Sequence, residues 1–198
     1  MTSKRSSAQA LVEECFPNDI SQHIITPKFV NEADGYGHWR CHKPDTNTLY
    51  FDIVVWPGSL CYTGDMGDYL FQRTHDMIGF MQKAASSIEY AAEKCVAGRD
   101  ELMEYREELF YQYLEDVVPN SGYTEEDDSK RIAELRAKVA DVKHQYQYGG
   151  YNSEFKAYEF IHESGLCDGG DPPNFKEYKF HFHWALKAIQ WFCDKQRP

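Results

Sequence analysis

The chain has 198 residues, 42% of them hydrophobic and 15% aromatic, which is enough apolar material for one packed domain. Its formal net charge of −11 argues against nucleic acid or an anionic membrane as a direct ligand, because both would repel it, and points to a basic partner surface. No apolar run approaches the ~20 residues that span a bilayer, and the opening MTSKRSSAQALVEEC carries Lys4 and Arg5 without the hydrophobic stretch of a signal peptide.

The expectation is therefore a cytosolic single domain over residues 1–198, mainly β over 1–73 and mainly helical over 74–198. Six cysteines (Cys15, Cys41, Cys61, Cys95, Cys167, Cys193) stand far apart with no C-x-x-C pair, and without an export signal they read as reduced thiols.

The fold class read from the pattern is α+β, an N-terminal antiparallel sheet of four or five strands followed by four or five helices. His23–Val30 is β-branched and aromatic, and Asn31–Gly37 is a turn cluster. His38–His42 follows, then the loop PDTN, then Leu49–Trp56, the strongest strand signal in the chain. Pro57-Gly58 turns into Ser59–Thr63, and Gly64-Asp65-Met66-Gly67 turns back into Asp68–Arg73. Short loops between neighbours make a meander the simple topology.

From Thr74 the period changes to helical. Thr74 is the expected cap of a helix running to about Ala97 and ended by Gly98. A second helix is expected over 100–118, stopped by Pro119-Asn120-Ser121-Gly122. A third runs from Thr124 to about His144, and a fourth from Asn152 or Ser153 to Gly165. The last spans Lys176–Lys195, with Tyr178, Phe182, Ala185, Ile189 and Phe192 at helical spacing.

Charge is distributed unevenly. Between Asp100 and Asp128 eleven acidic residues face one basic residue, Arg106, so this stretch holds −10 of the chain's −11. On a wheel of 100° per residue Leu102, Leu109 and Tyr113 align, with Tyr105, Phe110, Leu114 and Val117 completing an apolar arc. Asp100, Glu101, Glu104, Glu107, Glu108 and Glu115 fall opposite, and Asp116 is off the pattern. A solvated face explains most charge runs, but such a face normally mixes signs in i,i+4 pairs, and lysine is missing here. A carboxylate row ~5–6 Å apart also approaches the spacing of backbone phosphates, so mimicry of nucleic acid is physically available.

The candidate chemical clusters are thinner. His181 and His183 share a face only in a strand, and their context is helical. His38, Cys41 and His42 lack further ligands. Gly64–Asp68 lacks the ligand ladder of a calcium loop, and its glycines fit a hairpin. Arg73, His75 and Asp76 could form an acid/base set but have no partner nucleophile. No cofactor and no metal are expected.

The block from Trp56-Pro57-Gly58 through Gly64-Asp65-Met66-Gly67 to Phe71, Arg73, Asp76 and Met77 resembles a family of uncharacterised proteins of bacteriophages and prophages. There a TWPG…GDMG…F-x-R…DM pattern sits between a strand and a helix, and here Val55 replaces the threonine. His181–Trp191 is similar to the tail of the same family, and together the two blocks reach about half of the chain. The resemblance carries no catalytic residue with it. It implies a phage accessory protein expressed in a host bacterial cytoplasm.

The leading functional expectation is an inhibitor of a bacterial nucleic-acid-handling defence complex, of anti-CRISPR or anti-restriction type. Such machines line channels with Lys and Arg, which a carboxylate helix could occupy. Glu101, Glu104, Glu107, Glu108 and Glu115 would make the contacts, with Glu125, Glu126, Asp127 and Asp128 beside them. The alternatives are a small enzyme using the Gly64–Asp76 region, or a scaffold that forms a homodimer through Tyr105, Tyr111, Tyr113, Tyr146, Tyr148 and Tyr151.

Overall fold

Period-two alternation organises the N-terminal half. The computed structural model describes residues 7–117, 133–134, 137–138, 140–142, 153–164 and 173–197. In chain order its elements begin with α1 (Ser7–Ile20), β1 (Ile24–Asn31), β2 (Tyr36–His42), β3 (Phe51–Trp56), β4 (Ser59–Gly64) and β5 (Gly67–Gln72). They continue with α2 (Met77–Ala84), α3 (Ile88–Lys94), β6 (Cys95–Ala97) and β7 (Met103–Tyr105). After these come α4 (Glu107–Val117), α5 (Glu154–Ser164), β8 (Lys176–Tyr178) and α6 (Phe180–Gln196).

The first six strands pair antiparallel in sequence order, so the expected meander forms and gains a sixth strand beyond β5. On β2 and β3 the residues Trp39, Cys41, Phe51, Ile53 and Val55 are buried, while His38, Arg40, Asp52 and Val54 alternate with them on the open side. The β4–β5 hairpin closes through Gly64 paired with Gly67. Gly67 has φ +104°, and a Cβ on Gly64 would run into the Tyr50 carbonyl and the Phe51 Cα, so glycine is required at both ends of the turn.

Two compact units result: Met1–Met103 with Tyr178–Pro198, and Glu104–Glu177 between them in sequence. In the first, α6 lays Phe182, Trp184, Ala185, Ile189 and Phe192 on the buried side of the sheet. Trp39 meets Phe192 at 5.2 Å, Phe51 meets Trp184 at 5.9 Å, and Tyr69 meets Phe182 at 5.2 Å between ring centroids. Helix α1 contributes Ala8, Val12, Phe16 and Ile20 at i,i+4 spacing. It is tied to α6 by the Trp184 indole N–H, which donates to the Asp19 carboxylate at 3.0 Å.

Several boundaries differ from the expectation. The helix expected over Thr74–Ala97 is two short ones, because Ser86 donates to the Lys83 carbonyl and Ser87 caps α3 by accepting from the Tyr90 N–H. Asp76, not Thr74, caps α2, accepting from the Gly79 N–H at 3.1 Å. Helix α1 was not expected. The last helix begins at Phe180, and Lys176–Tyr178 is a strand instead. The acidic helix does not begin at residue 100. Arg99–Glu101 is a 3-10 turn, Leu102 is buried with the first unit's core, and β7 pairs with β8, so α4 starts at Glu107.

The second unit has its own small core. Phe110, Leu114, Val142, Ala157 and Ile161 are buried with Phe175. The Phe175 ring meets those of Phe110, Tyr113 and Tyr158 at 5.6, 5.7 and 5.7 Å. The Arg106 N–H donates to the Phe175 carbonyl at 2.8 Å. Helix α5 lies where the fourth helix was expected, with the Ser153 hydroxyl accepting from the Lys156 N–H. Residues 133–134, 137–138 and 140–142, within the expected third helix, are helical, and the rest of that span lies outside the described residues.

Candidate functional site

The carboxylates singled out in the sequence are distributed over three elements. Glu101 stands in the 3-10 turn of the first unit, Glu104 is exposed on β7, and Glu107, Glu108 and Glu115 belong to α4. Glu125, Glu126, Asp127 and Asp128 lie outside the described residues. The single continuous row from residue 100 is therefore not formed.

On α4 itself the segregation holds. Phe110 and Leu114 are fully buried, whereas Glu108, Gln112, Glu115 and Asp116 are exposed. Glu107 is drawn partly inward, where it accepts from the Tyr111 hydroxyl at 3.4 Å. Glu108 pairs with Arg106 at 3.2 Å, and Arg106 also reaches Glu177 at 3.4 Å. The Glu108 carboxyl is held below the usual range by its own backbone N–H and by Arg106, against the opposing pull of burial. Tyr105, Tyr111 and Tyr113, named above for a dimer face, are half-buried against this unit's own core, and Tyr146, Tyr148 and Tyr151 lie outside the described residues.

The other clusters have structural occupations. His181 and His183 stand on α6, the first exposed and the second half-buried with its pKa lowered by burial. His38 approaches Asp52 at 3.7 Å on the open side of the sheet. His42 meets the Thr26 hydroxyl at 3.3 Å, while Cys41 points into the core, where burial pushes its thiol far up. Asp65 accepts from the Leu49 N–H at 2.6 Å, and the Thr63 hydroxyl donates to Asp68. Asp76 combines its capping role with a bidentate pair to Arg197, at 2.6 and 2.9 Å. Cys15, Cys41, Cys61, Cys95 and Cys193 are free thiols. Among the described residues no group of three His, Cys, Asp or Glu side chains is placed to hold a metal ion.

One concave feature was announced by no motif. In the first unit the helix-facing side of the sheet is left uncovered at its β1–β2 corner, forming a groove of about 770 Å³. Pro27, Val30, Trp39 and Val55 come from the sheet, Met77 and Ile78 from α2, and Arg197 from the end of α6. Glu32 lines it from the β1–β2 connection, Tyr36 from the start of β2, and His75 from the segment before α2. These residues come from four separated stretches of sequence, so only the folded chain brings them together.

Compared with known proteins, the chain matches no family model, no curated protein and no solved structure.

Proposed function

We propose that the protein is a binding protein that meets a cationic macromolecular surface through the carboxylates of its second unit. In its finer form the reading is an accessory protein of a bacteriophage or prophage, acting in the host cytoplasm. There it would inhibit a nucleic-acid-handling defence complex such as a CRISPR effector or a restriction enzyme. The observation that carries it is the division of α4: its apolar and aromatic residues pack in or against a core, while Glu108, Glu115 and Asp116 are exposed beside Gln112. The concentration of charge supports it, since residues 104–128 of the second unit, with nine acidic residues and one arginine, hold −8 of the chain's −11. A Lys/Arg-lined channel built for phosphates would attract such a surface at long range and lose that attraction as salt screens it. The resemblance of Trp56–Met77 to a phage and prophage family supplies the biological setting.

The test is recovery of the tagged protein from bacteria that carry intact defence systems, at low and moderate salt. Stoichiometric co-purification of a nucleic-acid-binding complex that is lost as salt rises is the expected result. The double variant Glu104→Lys/Glu108→Lys changes two exposed side chains and should weaken that association by ~10-fold or more. An affinity unchanged by the double reversal would overturn the reading.

A further inference from the structure

We infer that the groove at the β1–β2 corner of the first unit binds a small organic cation, an ammonium carried on an aromatic or aliphatic body. Its volume of about 770 Å³ lies inside the range of small-molecule pockets, roughly 300–1,000 Å³. Its walls are of the kind such pockets have: Pro27, Val30, Trp39, Val55, Met77 and Ile78 supply apolar surface, with polar groups at the margin. Val30 and Tyr36 are 41% and 47% exposed, more than large apolar side chains on a packed sheet need be.

Charge selects the ligand's sign. Among the described residues, three Asp, Glu, Lys or Arg side chains line the groove. Two of them, Asp76 and Arg197, neutralise one another: both guanidinium Nη atoms donate to Asp76, whose Oδ1 also accepts from the Gly79 N–H. The third, Glu32, is exposed and makes no side-chain hydrogen bond or ion pair among the described residues. An anion would meet Arg197 with its charge already offset by Asp76, and would have to approach Glu32. A neutral apolar ligand would desolvate Glu32 and give nothing back. An ammonium can pair with Glu32 and lie against Tyr36, where the electron-rich ring attracts cations, while its apolar body covers Trp39, Val55 and Met77. The site belongs to the first unit, so this inference and the macromolecular reading can fail separately.

The test is a titration of the full chain with phenethylamine, which is cationic at neutral pH, followed by ¹⁵N amide shifts. The expected result is saturable movement of the Val30–Trp39 and His75–Ile78 resonances. Binding should be ~10-fold weaker or more for Glu32→Gln and for 3-phenylpropionate, the anion of similar size. Glu32 is exposed, so the melting temperature of Glu32→Gln should equal that of the parent. Tyr36→Leu gives an independent reading and should weaken phenethylamine severalfold. Shifts that never saturate, equal binding of the anion, or affinity untouched by Glu32→Gln would each overturn the proposal.

Discussion

At Asp52 two effects pull in opposite directions. Burial pushes the carboxyl up, while hydrogen bonds at 2.9 and 2.8 Å from Arg40, with its charge and that of His38, outweigh burial and hold the pKa below the ordinary carboxylate range. A carboxyl whose pKa is depressed by folding stabilises the protein above its unfolded value, near 4, and loses that contribution as pH falls through the folded value. Arg40→Met removes the pair and leaves burial opposed by His38 alone of these groups. It should cost about 1 kcal/mol at neutral pH. Thermal melts followed by circular dichroism from pH 7 to pH 2 should show the gap between variant and parent closing below about pH 4. None of this was legible in the sequence, because Arg40 and Asp52 meet only through the β2–β3 register. The same holds for Glu32, an unremarkable turn residue until the fold sets Tyr36 and Met77 beside the same groove.

At the level of elements, legibility followed the range of the determining interactions. Strands β2 to β5 announce themselves through alternation, and the Gly64–Gly67 turn fixes their joint. The segment from residue 100 misleads for the opposite reason. Its apolar spacing satisfies a helical wheel, yet Leu102 packs in the first unit's core and β7 takes a partner about 70 residues away, a non-local pairing that overrides a local period. Lys176–Tyr178 is the other half of that pairing, and its helical spacing misleads for the same reason. Helix α1 is weakly signalled in the sequence, because Pro17 interrupts the apolar spacing Ala8–Val12–Phe16–Ile20. The break at Ala85–Ser87 rests on side-chain capping and is directly testable. Ser87→Ala removes the acceptor for the Tyr90 N–H and should destabilise the first unit by about 1 kcal/mol in urea denaturation, with Ser87→Asp restoring it.

At the level of the molecule, residues 104–177 are an insertion whose two ends meet. The Lys179 N–H donates to the Leu102 carbonyl at 2.9 Å, and the strands that carry the chain out and back are paired. Among the described residues, the first unit's core of α1, α2, α3, α6 and the sheet includes none from 104–177. Joining Met103 to Tyr178 through a short Gly-containing turn should therefore leave a cooperatively folded protein, seen as dispersed amide resonances and a single melting transition. Loss of both would show that the first unit depends on the insert.

The placement of α6 also sets a schedule for synthesis. The sheet is complete through β5 once Gln72 has been made, but the side chains that cover it, Phe182 to Phe192, follow more than a hundred residues later. At roughly 5–20 residues per second that delay is on the order of 5–25 s. Throughout it Phe51, Ile53, Leu60 and Phe71 have no helical cover from α6, and the nascent chain is most exposed to chaperones, to proteases and to pairing with a neighbouring copy on the same message.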